Sequence, residues 1–259
     1  MTDGRIGLAR KGAVLTVTNN DPATRNALGW EFYDGFREIV EEAADDPRTR
    51  AIVLTGAGGF FCSGGNVAVL AERAKASHAV RRASVEKLHG MIRAMRACPK
   101  PIVAAIEGGA AGAGVSMALA CDLIVAARDA YLSVAYVRIG LTPDGGATAM
   151  LARALPRALV AEMVMTGDRV SVERLHPLGL VNRLTNPGAA LAEAEALAAR
   201  LADGPPEALA AGKSLISEAA EAPFDTQLNS EAAAIAEALG GAEAAEGIAA
   251  FLEKRKPRW

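Results

Sequence analysis

Two glycine-rich turns carry most of the chemistry this sequence offers. The first, Phe60-Phe61-Cys62-Ser63-Gly64-Gly65-Asn66, follows a strand-like run from Ala51 to Thr55. The second begins at Glu107, after the β-branched run Ile102 to Ile106, and leads into a candidate helix, Gly114 to Cys121. A strand, a glycine-rich loop and a helix start together aim unpaired backbone N–H groups and a positive helix end at an anion. Two such turns in one domain can clamp a single oxygen from two sides, which is the logic of an oxyanion hole.

Side chains that could act beside such a hole are few. Asp144 stands in Gly140-Leu141-Thr142-Pro143-Asp144-Gly145-Gly146, where composition alone reads it as a turn former or helix N-cap. Glu107 reads as a polar turn residue, and Asp122 as a cap or structural ion-pair partner. Gly114-Val115-Ser116-Met117-Ala118 approximates a nucleophile elbow, and Ser116, Asp144 and His176 follow the Ser–Asp–His order of some hydrolases. That elbow needs its serine directly after a strand. Ten residues separate Ile106 from Ser116, which places Ser116 inside a helix and argues against the triad. His78 reads as a surface residue and His89 as a partly buried structural one. With only three isolated histidines and no Cys/His spacing, no metal site is expected.

The elements that position these groups follow from hydrophobic periodicity. A hairpin is predicted over Ile6 to Ala9 and Ala13 to Thr18, turning at Lys11-Gly12. Phe32, Phe36, Ile39, Val40 and Ala43 have helical spacing within Trp30 to Ala44. A longer helix runs from about Val80 to Ala97, with Val85, Leu88, Ile92 and Met95 on one face, until Pro99 stops it. Further strands are predicted at Leu123 to Ala127, Tyr131 to Val134 and Leu180 to Leu184, and helices at Thr148 to Leu155 and Arg157 to Thr166. Short strands alternating with helices give an α/β fold. Beyond Asn186-Pro187-Gly188 only helical patterns remain, broken at Gly204-Pro205-Pro206, Ala222-Pro223 and Gly240-Gly241. The division is therefore residues 1–187 as core and 188–259 as a helical region.

Composition sets the outer bounds. The 259 residues, 51% apolar and 22% charged, are enough for one large domain or one domain with an appendage. Aromatics make up only 4%, so helix packing is expected to be close. A net charge of −2 gives no general attraction to nucleic acid or anionic membrane. Cys62, Cys98 and Cys121 read as reduced thiols of a cytoplasmic protein. The first residues lack a signal-peptide core, and the uncharged, glycine-rich stretch of 14 residues from Gly108 to Cys121 is too short to span a bilayer.

FCSGGN, KPIVAAIEGGAAGAG, ALACDLIVA, GLTPDGG and GLVNRL, in that order and spacing, resemble the crotonase (enoyl-CoA hydratase/isomerase) superfamily. The likeness runs from RNAL near the start to AFLEKRKPRW at the end. It implies a superhelix of repeated ββα units with two nearly perpendicular sheets, although no internal repeat is visible in the sequence. It also implies an acyl-CoA thioester substrate, no separate organic or metal cofactor, and a homotrimer or hexamer assembled through the helices after residue 188.

The resemblance also assigns residues. Matching the two turns places the oxyanion donors at the N–H groups of Gly65 and Ala113. Hydratases of the family carry two glutamates where this chain has Ser116 and Tyr136, and asparagine is more usual where Glu107 stands. Several isomerases of the family place their acid where Asp144 lies. A related dehalogenase uses an aspartate there as nucleophile and has an aromatic residue at the Tyr136 position. Arg25 and Ala27 of the RNAL motif, with Tyr136, and with Asn66, Val67 and Ala68 edging the adenine, are the expected substrate and CoA contacts. Ala68 replaces a lysine of the family, and Lys254 of the run Lys254-Arg255-Lys256, from the same or the neighbouring subunit, is the candidate to replace its phosphate contact. His89 would border the acyl pocket, shaped in part by Leu70 to His78.

The expected function is an enoyl-CoA isomerase, with Asp144 moving a proton from C2 to C4. The alternatives are a hydrolase or dehalogenase using Asp144 as nucleophile or water base, a hydratase-like enzyme, and an acyl-CoA-binding protein without catalysis.

Overall fold

The computed structural model describes residues 4–259. The chain opens with an antiparallel hairpin, β1 (Ile6–Lys11) and β2 (Val14–Asn19), turning where predicted at Gly12, whose φ is +58°. Helix α1 (Trp30–Asp45) follows and buries Phe32, Phe36, Ile39, Val40 and Ala43, the stripe its spacing demands. Next come β3 (Ala51–Gly56), α2 (Val67–Ala74), α3 (His78–Ala97) and β4 (Ile102–Ile106). Helix α3 starts two residues earlier than its apolar pattern because the Ser77 hydroxyl accepts from the Val80 N–H at 3.4 Å.

From β4 onward the chain repeats a strand–strand–helix step. The strand β4 is followed by β5 (Gly109–Ala111) and α4 (Ala113–Leu119), and β6 (Leu123–Ala127) by β7 (Tyr131–Ser133) and α5 (Ala147–Ala154). Then come α6 (Arg157–Thr166), β8 (Arg169–Ser171), α7 (Val172–Leu175), β9 (Arg183–Thr185) and α8 (Ala190–Ala202). Three helices close the chain: α9 (Pro206–Ala219), α10 (Phe224–Gly240) and α11 (Ala242–Leu252). The strands form two sheets, one in the order β1-β2-β3-β4-β6-β9 and a smaller one in the order β5-β7-β8. The second strand of each repeat, β5 or β7, has only three residues, so no repeat shows in the sequence. The last strand of the large sheet sits at Arg183–Thr185, later than the apolar run Leu180 to Leu184 suggests. Leu180 and Val181 are instead buried in the core.

All strands of the large sheet after β1 run parallel, and β3 and β4 are buried on both faces. Period-two alternation divides their side chains. Ile52, Leu54, Ile102 and Ile106 join the main core with α1 and α3, whereas Ala51, Val53, Val103 and Ala105 face Ala194, Leu197 and Ala198 of α8. Helix α8 therefore covers the second face of the sheet. By contrast α9, α10 and α11 bury little, and Ile216, Phe224, Ile235, Leu239 and Phe251 are exposed.

Two of the sequence's candidate carboxylates hold these layers together. The Glu107 carboxylate accepts from the N–H groups of Gly188 (3.0 Å) and Ala190 (2.8 Å), capping α8, which has no cap from its own N-cap residue. The Asp122 carboxylate accepts from the Ile102 N–H at 2.8 Å and pairs with Lys213 of α9 at 2.8 Å. Burial pushes the Asp122 carboxyl up, and the Lys213 ammonium opposes that shift. Lys213 also donates to the carbonyls of Met95 and Lys100. Chemical denaturation should show Glu107→Ala losing about 1 kcal/mol through the missing cap. Lys213→Met should lose about 2 kcal/mol, because a charged hydrogen-bonding partner is removed from Asp122.

Candidate active site

The two glycine-rich turns meet backbone to backbone. The Cys62 N–H donates to the Gly109 carbonyl (3.3 Å), and the Ala111 N–H donates to the Cys62 carbonyl (2.9 Å). Gly64, at φ +94°, lies so close to the second turn that a Cβ there would sit 2.7 Å from the Ala111 carbonyl oxygen. A Cβ on Gly114 would meet the Cys62 carbonyl oxygen at the same distance. The first turn is in turn tied to the RNAL segment. The Leu28 N–H donates to Gly64 (2.7 Å), Asn66 N–H to Leu28 (3.1 Å) and Ser63 N–H to Arg25 (2.9 Å). Asn26 is fully buried and anchors that segment, donating to the Ala57 carbonyl and accepting from the Asp21 N–H.

This arrangement leaves the N–H groups of Gly65 and Ala113 without an acceptor among the described residues, and both residues line one cleft of about 850 Å³. Ala113 opens α4, so its N–H belongs to the orphan donors of a helix start. Leu70, Val85, Leu88 and Ile139 give the cleft apolar walls. The Cys62 thiol is no competing nucleophile, since burial pushes its pKa up to about 12.

Asp144 supplies the cleft's single carboxylate among the described residues. The Tyr136 hydroxyl donates to its Oδ1 at 2.7 Å, and the Ser116 hydroxyl donates to its backbone carbonyl at 2.8 Å. Ser116 and Tyr136, at the positions where hydratases carry glutamates, thus both hold the Asp144 turn. Gly145 completes the contact: at φ +60° it passes so near Ser116 that a Cβ would lie 2.7 Å from the serine Cβ. Burial raises the Asp144 pKa above the usual carboxylate range, while the Tyr136 hydrogen bond and the charges of His89 and Arg73 pull it back. The Tyr136 phenol is itself raised, by burial first and then by Asp144.

The remaining sequence candidates fall in different places. Ser116 lies inside α4 as expected, and His176 Nδ1 faces the Val181 carbonyl at 2.7 Å, so no Ser–Asp–His triad forms. Val67 lines the cleft, with Asn66 just before it. Asn66 caps α2 through bonds from Ala68 N–H (3.0 Å) and Val69 N–H (3.4 Å), so a helix begins where the sequence suggested only a backbone edge. The Arg25 guanidinium lies over the Phe60 ring, 5.7 Å from its centroid, and Ala27 adjoins the first turn through Leu28. Lys254 follows α11 and does not line this cleft. Sequence reasoning missed Tyr33 and reached Arg73 only within the Leu70 to His78 segment expected to shape the acyl pocket; both line the cleft and couple electrostatically to Asp144. Tyr33 lies on the buried face of α1, and Arg73 was not singled out within its segment because α2 was not expected. Among the described residues, no three of His, Cys, Asp and Glu cluster as metal ligands would. No helix among them is long and apolar enough to cross a membrane.

The family model described as Enoyl-CoA hydratase/isomerase matches residues 9–259. The chain belongs to that family. It is 35% identical over 251 residues to the human enoyl-CoA hydratase domain-containing protein 2, mitochondrial, covering 95% of this chain and 85% of that protein. It is 32% identical over 247 residues to the 1,2-epoxyphenylacetyl-CoA isomerase of Escherichia coli, covering 95% and 94% respectively. The crystal structure of an enoyl-CoA hydratase from Polaromonas superposes with a TM-score of 0.96 at 45% identity, covering 98% of both chains. The fold is the crotonase fold of that enzyme family. Relatives carry both hydratase and isomerase names, so the reaction has to be argued from the site.

If the two N–H groups act together, Gly64→Ala should displace Gly65 and lower kcat by about the 10²–10³ expected for one oxyanion donor. Circular dichroism and steady-state kinetics on the same preparation separate that loss from unfolding.

Proposed function

We propose that this protein is an enoyl-CoA isomerase that shifts a double bond with one carboxylate and a backbone oxyanion hole. The observation that carries the reading is Asp144: one half-buried carboxylate, with no second acid lining the cleft among the described residues. Adding water across a double bond calls for a pair of groups that position and protonate it, whereas moving a proton within one substrate needs one base that later acts as acid. In the proposed reaction the thioester carbonyl of a 3-enoyl-CoA lies between the N–H groups of Gly65 and Ala113. Asp144 removes a proton from C2, and the electron pair moves onto the carbonyl oxygen to give a dienolate. The same proton then returns at C4 as the carbonyl re-forms. Tyr136 holds the carboxylate in place through its 2.7 Å bond, and burial raises the Asp144 pKa, the direction that favours a two-way transfer. The acyl-CoA is substrate, and the scheme uses no further cofactor.

The exposed apolar residues of α9, α10 and α11 support the homotrimer or hexamer expected from the resemblance, with Arg25, Ala27, Asn66, Val67, Ala68 and a neighbouring Lys254 as CoA contacts. Light scattering at micromolar concentration should give three or six copies, and a monodisperse monomer would contradict this assembly.

Asp144→Asn should reduce double-bond migration by about 10²–10⁴, while Glu107→Gln, which alters only the cap of α8, costs far less. Loss of activity with Glu107→Gln and retention with Asp144→Asn would reverse the assignment. Release of free CoA or of halide by the wild type would favour the nucleophile reading. Hydration of crotonyl-CoA should be negligible, far below about 10 s⁻¹. The base must be ionised, so kcat/KM should rise with pH through a pKa above the usual carboxylate range. Tyr136→Phe removes a bond that favours the anion and should move that rise to still higher pH.

A further inference from the structure

Among the described residues, Arg73 is the cation in the cleft wall that lacks an anionic or carbonyl acceptor. It lies in the last turn of α2, its guanidinium carbon 4.6 Å from the centroid of the Trp30 ring, and its Nε is buried with no hydrogen-bond partner. The other cations near it are engaged. Arg81 donates to the carbonyls of Ala74 and Ala76, Arg138 pairs with Asp168, and Lys87 pairs with Asp34. His89 faces Glu86 at 3.6 Å. Asp144 couples to Arg73 through space, but its Oδ1 is taken by Tyr136 and the Arg73 Nε makes no bond to it.

A partly desolvated guanidinium without an acceptor is costly to leave unpaired. Its planar fork, steadied by the Trp30 face, matches a carboxylate in geometry and charge. Its position relative to the oxyanion hole is also fixed. Leu70 packs beside Gly65, 3.5 Å from where a Cβ would stand, and Arg73 follows Leu70 by about one helical turn, some 5 Å along the axis. The wall between the hole and Arg73 is apolar, as methylene groups require.

We infer that the acyl group of the preferred substrate ends in a carboxylate held by Arg73, so that the substrate is a short ω-carboxyacyl-CoA thioester. The inference rests on the proposed function only in taking an acyl thioester to occupy this cleft. Arg73 then sets specificity, and its positive charge also separates the substrate carboxylate from that of Asp144.

Calorimetric binding of saturated, non-reactive thioesters tests this. Glutaryl-CoA and adipoyl-CoA should bind the wild-type protein about 10- to 100-fold more tightly than pentanoyl-CoA and hexanoyl-CoA, the range of a charged hydrogen bond. In Arg73→Gln that ratio should fall to about one, and Arg73→Lys should keep part of it. A wild-type protein with no preference overturns the inference whether or not the variants fold, as does an undiminished ratio in Arg73→Gln. Equal affinity for ω-hydroxyhexanoyl-CoA would overturn the carboxylate in favour of a neutral oxygen. Because these ligands do not react, a retained preference alongside absent isomerisation would sink the proposed reaction alone. Isomerisation without the preference would sink the Arg73 assignment alone.

Discussion

The backbone-to-backbone contact between the two glycine-rich turns is the constraint on which the rest of the site depends. Two peptide N–H groups can point at one oxygen only if their chains approach more closely than side chains allow. Gly64 and Gly114 meet that condition, since a Cβ on either would collide with a carbonyl of the opposing turn. Holding the contact requires support from both sides. Asn26 and the RNAL segment fix the first turn, while β5, paired with β7, fixes the second. The short second sheet thus serves as the rigid backing of the loop from which Ala113 emerges.

Asp144 shows how one carboxylate is set to its task by packing. Desolvation raises its pKa, and a tyrosine hydroxyl, a histidine and an arginine oppose that shift. Ser116 does not contact the carboxylate through a bond of its own. It pins the peptide carbonyl of Asp144, and the absence of a side chain at Gly145 lets it come near. The two positions that carry glutamates in hydratases are therefore used here to orient the aspartate.

The three acidic residues beside the glycine loops and their helix have three different fates. Glu107 caps α8, Asp122 is held by Lys213, and Asp144 faces the cleft. Only the first two have their oxygens met by backbone N–H groups or a lysine, and those two hold the helices of the second half against the sheet. Helix α8 is part of the core, because its alanines fit the small side chains of the sheet's second face, whereas α9, α10 and α11 leave apolar residues outside.

Much of this was legible in the chain itself. The apolar runs Ala51 to Thr55 and Ile102 to Ile106, the stripe on α1 and the helical patterns after residue 188 are local features of the sequence, whereas the division of the two strands' side chains between two cores came from the layers packed on either face. The glycine-rich turns were legible as well, since only glycine tolerates their backbone angles and close approach. Other features were not local. The three-residue strands β5, β7 and β8 exist only because they pair with one another, and α2 forms on the cap that Asn66 supplies. That Glu107 caps a helix some eighty residues away, and that Arg73 faces Asp144 across a cleft, are consequences of which elements the fold brings together. Sequence determined the two turns, most of the helices and strands, and the stock of acids. Tertiary structure decided which acid faces the cleft, because burial and hydrogen-bond partners are set by neighbours distant along the chain.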